Sequence, residues 1–288
     1  MNRVTLLTAL ALLFSSGCSG TDSPADPTQL RIGVLPEQDR ETLAEQYAPL
    51  LDHIHRELGI PCELVIPESY TQLVELFCAN EIDLGFFGGV TFIRASESAD
   101  ALPLVYRDVD RNFTSYVIVE AENPATELAD LKGQDFCFGS PLSTSGHYMP
   151  RHFLRGLGLD PERHFGEVSF SGSHDETVRR VRDGLVSAGA LNSQILGAML
   201  RDGRVKEGEV RVLWESPTYV NYVWGLRAAI GEDLRARIRD AFLMLSEDDA
   251  EHAQVLDSLR AKHFLPATSH DFLELREVVL EGEQPSGP

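Results

Sequence analysis

Ile82-Asp83-Leu84-Gly85-Phe86-Phe87-Gly88-Gly89 is a short apolar run that empties into two glycines. Such a run reads as a strand, and the paired glycines at its end let the backbone turn and approach another group closely. The chain before it alternates in the same way. Leu30 to Leu35 is a strand candidate ending at Pro36, and from Arg40 onward Leu43, Tyr47, Leu50, Leu51, Ile54 and Leu58 fall at helical spacing until Gly59 stops the run. Glu63 to Ile66 is a second strand closed by Pro67, and Tyr70 to Asn80 is a second amphipathic helix. Strands separated by helices of this length predict βαβ units on a mostly parallel sheet, and so an α/β fold.

Beyond Gly89 the pattern restarts. Ser115 to Glu120, Gln134 to Gly139, Val168 to Ser171, Ala188 to Leu191 and Val210 to Glu215 read as strands, with helical spacing over Ser143 to Leu157 and His174 to Gly184. Trp224 to Arg227 is a strand that crosses back, and Gly231 to Leu245 and Asp248 to Lys262 are helical by period. Two lobes are expected, residues 30–117 with 222–281 and residues 118–221. The chain passes between them twice, and a cleft at the strand C-termini encloses a small ligand.

The ends carry other signals. Arg3, the apolar run Val4 to Phe14 and the small residues before Cys18 read as an export signal over 1–18, too short to span a bilayer as a mature helix. A small-residue site directly before a cysteine resembles a bacterial lipobox, which makes Cys18 the expected lipid attachment point. Ser15 stands where Leu is usual, so ordinary signal-peptidase cleavage is the alternative. Residues 19–29 read as a flexible tether and 282–288 as a disordered tail. The expected location is the periplasm or cell envelope.

The chain of 288 residues has a formal net charge of −20, which disfavours nucleic acid as a partner. It also sets a condition on any anion site: fixed dipoles at about 3 Å must act where distant charge is screened within about 8–10 Å. Besides Cys18 there are Cys62, Cys78 and Cys137, with no CxxC or CxxH spacing, so buried thiols are expected and neither metal nor cofactor is.

Chemistry concentrates at the strand ends. In Gly139-Ser140-Pro141-Leu142-Ser143-Thr144-Ser145-Gly146, three hydroxyl residues precede a helix whose first N–H groups lack internal partners and carry partial positive charge. Pro150 cannot donate to Gly146, which loosens the first turn. The bland alternative is an ordinary Ser/Thr cap. The absence of a Lys excludes a GxxxxGK[ST] nucleotide loop. Ser171-Gly172-Ser173-His174-Asp175 repeats the arrangement and offers a ring N–H, while Gly89, Thr91 and Tyr70 occupy the corresponding ends in the first lobe. Ser143, His174 and Asp175 also admit a hydrolase reading, but adjacent His and Asp at a helix start diverge and GxSxG is absent.

These motifs, with Gly33-Val34-Leu35-Pro36-Glu37 and Leu128-Ala129-Asp130-Leu131-Lys132-Gly133, resemble the phosphate/phosphite/phosphonate-binding proteins of ABC importers, the PhnD-like group, over about Leu30 to Phe264. The resemblance implies a two-lobed periplasmic-binding-protein fold of type II-like form, a non-enzymatic, monomeric binder, and an inner-membrane permease as partner. It further implies that Ser143, Thr144, Ser145 and His174 hold phosphoryl oxygens, with Tyr70 contributing from the other lobe. Phe113 stands where such proteins often carry a Tyr, which leaves Tyr116 or Thr114 to supply that contact. Ser216 to Tyr222 lacks the acid that takes a ligand amine, unless Glu215 or Asp108 folds in, and this points to phosphate, phosphite or a small uncharged-tail phosphonate. Five or six hydrogen bonds at about 1.5–3 kcal/mol each meet the roughly −8 kcal/mol of micromolar binding after desolvation and closure costs. The alternatives are a ligand-sensing module for a membrane signalling protein and a binder of another oxyanion such as a sulfonate.

Overall fold

The computed structural model describes residues 26–282. The predicted signal, Cys18 and most of the predicted tether lie outside the described residues, as does the tail beyond Gly282. Strands are β1 (Leu30–Val34), β2 (Cys62–Val65), β3 (Leu84–Phe87), β4 (Leu102–Arg107), β5 (Ser115–Glu120), β6 (Phe136–Phe138), β7 (Val168–Phe170), β8 (Ala188–Asn192), β9 (Val210–Glu215), β10 (Val223–Leu226) and β11 (Phe264–Pro266). They form a six-stranded sheet ordered β11-β4-β10-β3-β1-β2 and a five-stranded sheet ordered β7-β6-β8-β5-β9.

β1 pairs in parallel with β2 and β3, and β6 with β7 and β8. Only β10, β11 and β5 run against their neighbours. β5 and β10 are the strands by which the chain enters each lobe, so they arrive from the cleft edge, where the other strands end. β4 escapes a periodicity reading because Pro103 interrupts it. Its partner is Gly225, beside an irregularity in β10, where the missing N–H is tolerated.

Local rules explain the helices. Asp39 accepts from Thr42 N–H at 2.9 Å to start Arg40–Leu58, and Gly59 ends it at φ 68°. Leu43, Tyr47, Leu50 and Ile54 face inward, where Tyr47, Phe86 and Trp224 pack with ring centroids 5.0–6.1 Å apart. In the second sheet, alternate residues feed opposite faces: Val117 and Val119 join one apolar cluster and Ile118 the other. Cys62, Cys78 and Cys137 are free thiols, with only Cys137 fully buried.

The first crossing is a 3₁₀ turn, Asp108–Asn112, followed by Phe113 and Thr114. It ends a few residues before the expected boundary at 117, because β5 already belongs to the second sheet. Residues 216–222 cross back beside it. Phe113 N–H donates to Tyr219 O at 2.9 Å and Tyr219 N–H to Phe113 O at 3.0 Å, so the two crossings act as one short ribbon.

Candidate functional site

Five helices begin where five parallel strands end: Tyr70–Cys78 after β2, Gly89–Ala99 after β3, Thr144–Tyr148 after β6, His174–Arg182 after β7 and Ser193–Arg201 after β8. Helix starts present uncommitted N–H groups, and here they come from both lobes. Tyr70, Ser143, Thr144, Ser145 and His174 are all no more than 2% exposed.

Thr144–Tyr148 is a π turn, with Tyr148 N–H bonded to Ser143 O at 3.0 Å, before the helix continues as Met149–Gly156. Pro150 removes the donor that Gly146 O would use in an α-helix, and Gly139 N–H takes that carbonyl instead at 2.9 Å. This needs close backbone approach. A Cβ on Gly146 would lie 3.0 Å from His174 Cε1, 3.0 Å from Ser143 Oγ and 3.2 Å from Gly139 Cα. Gly146→Ala is therefore expected to displace the His174 ring at an overpacking cost of about 1–3 kcal/mol. It should weaken anion binding about tenfold, to be read by calorimetry beside a melting curve.

The hydroxyl protons are unevenly committed. Ser143 Oγ accepts from Gly146 N–H at 2.9 Å and Thr144 Oγ1 accepts from Val90 N–H, across the cleft, at 3.0 Å. Both oxygens act as acceptors in these bonds, which leaves each O–H proton for another partner. Ser145 Oγ is buried and makes no well-formed hydrogen bond, although the Tyr219 and Tyr222 phenols lie close to it. Thr91 differs, since its hydroxyl donates to Gly88 O at 2.9 Å within its own turn and has no proton left for a ligand.

His174 is fully buried, and desolvation holds its imidazole down to about 3, so the ring is neutral. Nδ1 faces Asn192 N–H at 3.4 Å, which places the proton on Nε2, 3.4 Å from the Tyr70 hydroxyl. Burial likewise raises the Tyr70 phenol well above its ordinary range, so it stays a donor. The hydrolase geometry is absent. Asp175 turns away from His174 and takes the Ser173 hydroxyl and Glu176 N–H.

The predicted residues divide. Tyr70, Ser143, Thr144, Ser145 and His174 converge. Gly89 starts its helix beside the second crossing, where a Cβ would meet Leu275 Cδ2 at 2.0 Å and Asn221 O at 3.2 Å. Tyr116 is not brought to the site: it packs against the Ile118 cluster on β5. Thr114 bonds Ser193 Oγ at 3.2 Å. The second crossing supplies the extra phenols instead. Tyr219 shares a 2.6 Å hydrogen bond with Ser115 Oγ, Tyr222 donates to Glu37 Oε2 at 2.7 Å, and both hydroxyls lie beside Ser145.

Asn192 Nδ2 donates to Tyr222 OH at 2.8 Å, and Asn221 is buried with both amide atoms unpartnered. Glu37, Asn192, Asn221 and Tyr222, all buried, and the half-buried Tyr219 lie around the same hydroxyls, and the spacing of the sequence does not single them out. The signal available for Glu37 was its place in the turn that follows β1. Asp108 does not fold in, since its carboxylate accepts from Lys262 N–H at 2.9 Å, and Glu215 stays exposed on β9. Two cavities of about 490 and 290 Å³ flank His152 and Glu281, between Met149–Gly156 and the C-terminal helix Leu273–Gly282; Tyr219 lines the smaller one, and Tyr70, Ser143, Thr144, Ser145 and His174 line neither.

Residues 32–272 match the family described as "ABC transporter, phosphonate, periplasmic substrate-binding protein". A Prochlorococcus marinus protein named "Probable ABC transporter phosphite binding protein PhnD1" is 29% identical, covering 96% of this chain and 97% of its own. The phosphate-import protein PhnD of Mycolicibacterium smegmatis is 26% identical, covering 96% and 95%. The solved structure of the Prochlorococcus PhnD1 with methylphosphonate superposes with a TM-score of 0.85 at 27% identity, over 90% of this chain and 100% of that one. The match spans both sheets, both crossings and every converging side chain, and the chain belongs to the periplasmic substrate-binding proteins of ABC phosphonate transporters.

Proposed function

We propose that this protein captures a phosphorus oxyanion, of the phosphate, phosphite or small phosphonate class, and delivers it to an ABC permease. The observation that carries this reading is Ser145 Oγ, a buried hydroxyl without a partner at the meeting point of helix starts from both lobes. Buried polar groups in native proteins are almost always satisfied, so an orphan among free hydroxyl protons calls for an acceptor-rich ligand. Ser143, Thr144, Ser145, the His174 Nε2–H and the Tyr70 hydroxyl supply donors without a formal cation. That resolves how a chain of net charge −20 holds an anion: local dipoles at contact distance outweigh screened surface charge.

Asn192 and Asn221 are neutral amides, and the Glu37 carboxylate is engaged by Tyr222. Among the described residues around these hydroxyls no acid is left free for a ligand amine, which favours ligands with small uncharged tails. The protein works as a binder rather than a catalyst, with lobe closure about the paired crossings as its motion. Cys18 anchors it by lipid to the envelope membrane, 19–29 serves as the tether, and it acts as a monomer.

Calorimetry on residues 25–288 with phosphate, phosphite, methylphosphonate, aminoethylphosphonate and sulfate tests the reading. Micromolar binding of at least one of the first three, with aminoethylphosphonate weaker than methylphosphonate, is the expected result. Failure of every phosphorus ligand would overturn it.

A further inference from the structure

Glu37 is 3% exposed, lies in the turn just beyond β1, and closes a ring of hydrogen bonds around the site. Its carbonyl accepts from His174 N–H across the cleft at 3.1 Å, and its carboxylate accepts from Tyr222 O–H at 2.7 Å. Tyr222 O accepts from Asn192 Nδ2 at 2.8 Å, and Asn192 N–H faces His174 Nδ1 at 3.4 Å. While Glu37 is ionised, the single Tyr222 proton is committed to it, and Tyr222 has nothing to give the neighbouring Ser145.

We propose that Glu37 takes up a proton from solvent when the anion is enclosed, and that this reverses the direction of the hydrogen-bond chain toward the ligand. The inference rests on the anion-binding reading above. Glu37 as a carboxylic acid donates to Tyr222 O, which still accepts from Asn192. The Tyr222 proton turns to Ser145 Oγ, and the Ser145 proton turns to a ligand oxygen. One proton enters, no bond is left unbalanced, and the Ser145 oxygen gains the partner it lacks.

The charges around Glu37 decide whether this is favourable. Arg107 lies near it but is bound to Asp110 by two hydrogen bonds of 2.7 and 2.8 Å and to Leu259 O at 2.8 Å. Arg260 also lies near and makes no side-chain hydrogen bond or ion pair among the described residues. The phenols of Tyr47, Tyr70 and Tyr222 and the neutral His174 complete the surroundings. The two guanidinium groups favour the carboxylate, while dehydration already raises Glu37 above the ordinary carboxylate range. A ligand anion enclosed one hydroxyl away adds like-charge repulsion and tips the balance to the acid. Affinity then falls as pH rises between the Glu37 value in the free protein and its higher value in the complex, by up to about tenfold per pH unit.

The test is calorimetry of methylphosphonate binding at fixed pH in buffers of different ionisation enthalpy, on the wild type and on Glu37→Gln. The wild type is expected to take up more protons per ligand than Glu37→Gln, by up to about one. Equal uptake assigns the proton to the ligand and overturns the proposal. Ligand-difference infrared spectroscopy of the wild type gives an answer that does not depend on the variant folding. A new protonated-carboxyl stretch on binding supports the proposal, and its absence sinks it. A wild type that binds no phosphorus ligand overturns the anion-binding reading itself, and this proposal with it.

Discussion

His174→Ala is expected to weaken methylphosphonate binding by about 10- to 100-fold, since a hydrogen bond to a charged group contributes about 1.5–3 kcal/mol. The loss comprises the Nε2–H donor together with the ring that spaces Gly146, Asn192 and Tyr70. Because desolvation holds the ring down to about 3, the imidazole is neutral in the wild type throughout the neutral range. The mutational effect should accordingly be the same at pH 6 and pH 8 once the ligand's own ionisation is allowed for.

The same shift has a stability consequence. A buried His whose folded value is depressed binds fewer protons than the unfolded chain. Its contribution is therefore complete above about 6.5 and is lost as pH falls from there toward the folded value of about 3. Calorimetry at the two pH values checks the first statement, and acid unfolding of wild type against His174→Ala checks the second. Cys137→Ser, whose parent thiol donates to Phe138 O at 3.2 Å, is the control expected to bind normally. A His174→Ala protein that binds within twofold of wild type would remove His174 from the site.

Asp110→Ala should produce the largest loss of stability. Asp110 is fully buried in the first crossing, and its carboxylate takes Arg107 N–H at 3.1 Å, Nε at 2.8 Å and Nη2 at 2.7 Å. Removing it strands a buried guanidinium that also stacks over Phe86 and Tyr222, 5.1 and 5.3 Å from their ring centroids. Breaking a buried ion pair on one side costs about 3–5 kcal/mol, or roughly 10 °C in a protein of this size. The double variant Arg107→Met with Asp110→Leu should regain much of that loss, because the pair's own desolvation cost goes with it. Thermal unfolding of the three proteins decides this, and a single variant as stable as the wild type would refute it.

Most of the fold was legible because it rests on local rules. The apolar runs at Leu30, Leu84 and Ala188, the spacing from Leu43 to Leu58 and the stop at Gly59 determine strands, a helix and an end without reference to distant residues. β4 was less legible, since Pro103 is accommodated only by the irregular pairing opposite Gly225. In the site, the hydroxyl run at Ser143 and the strand-end position of His174 were readable from spacing. Thr91 and Tyr116 were not resolved by the same means. A hydroxyl's usefulness depends on where its one proton goes, and a strand residue's face depends on register.

The sequence by itself determined an α/β chain with two crossings and a set of hydroxyls at a helix start that Pro150 loosens. Only the tertiary structure decided which of those hydroxyls keep a free proton, because the acceptor of Val90 N–H and the partners of Glu37 lie in the opposite lobe or the crossing. Backbone propensity acts over a few residues, whereas the state of a buried polar group is set by whichever groups folding places within about 3 Å of it.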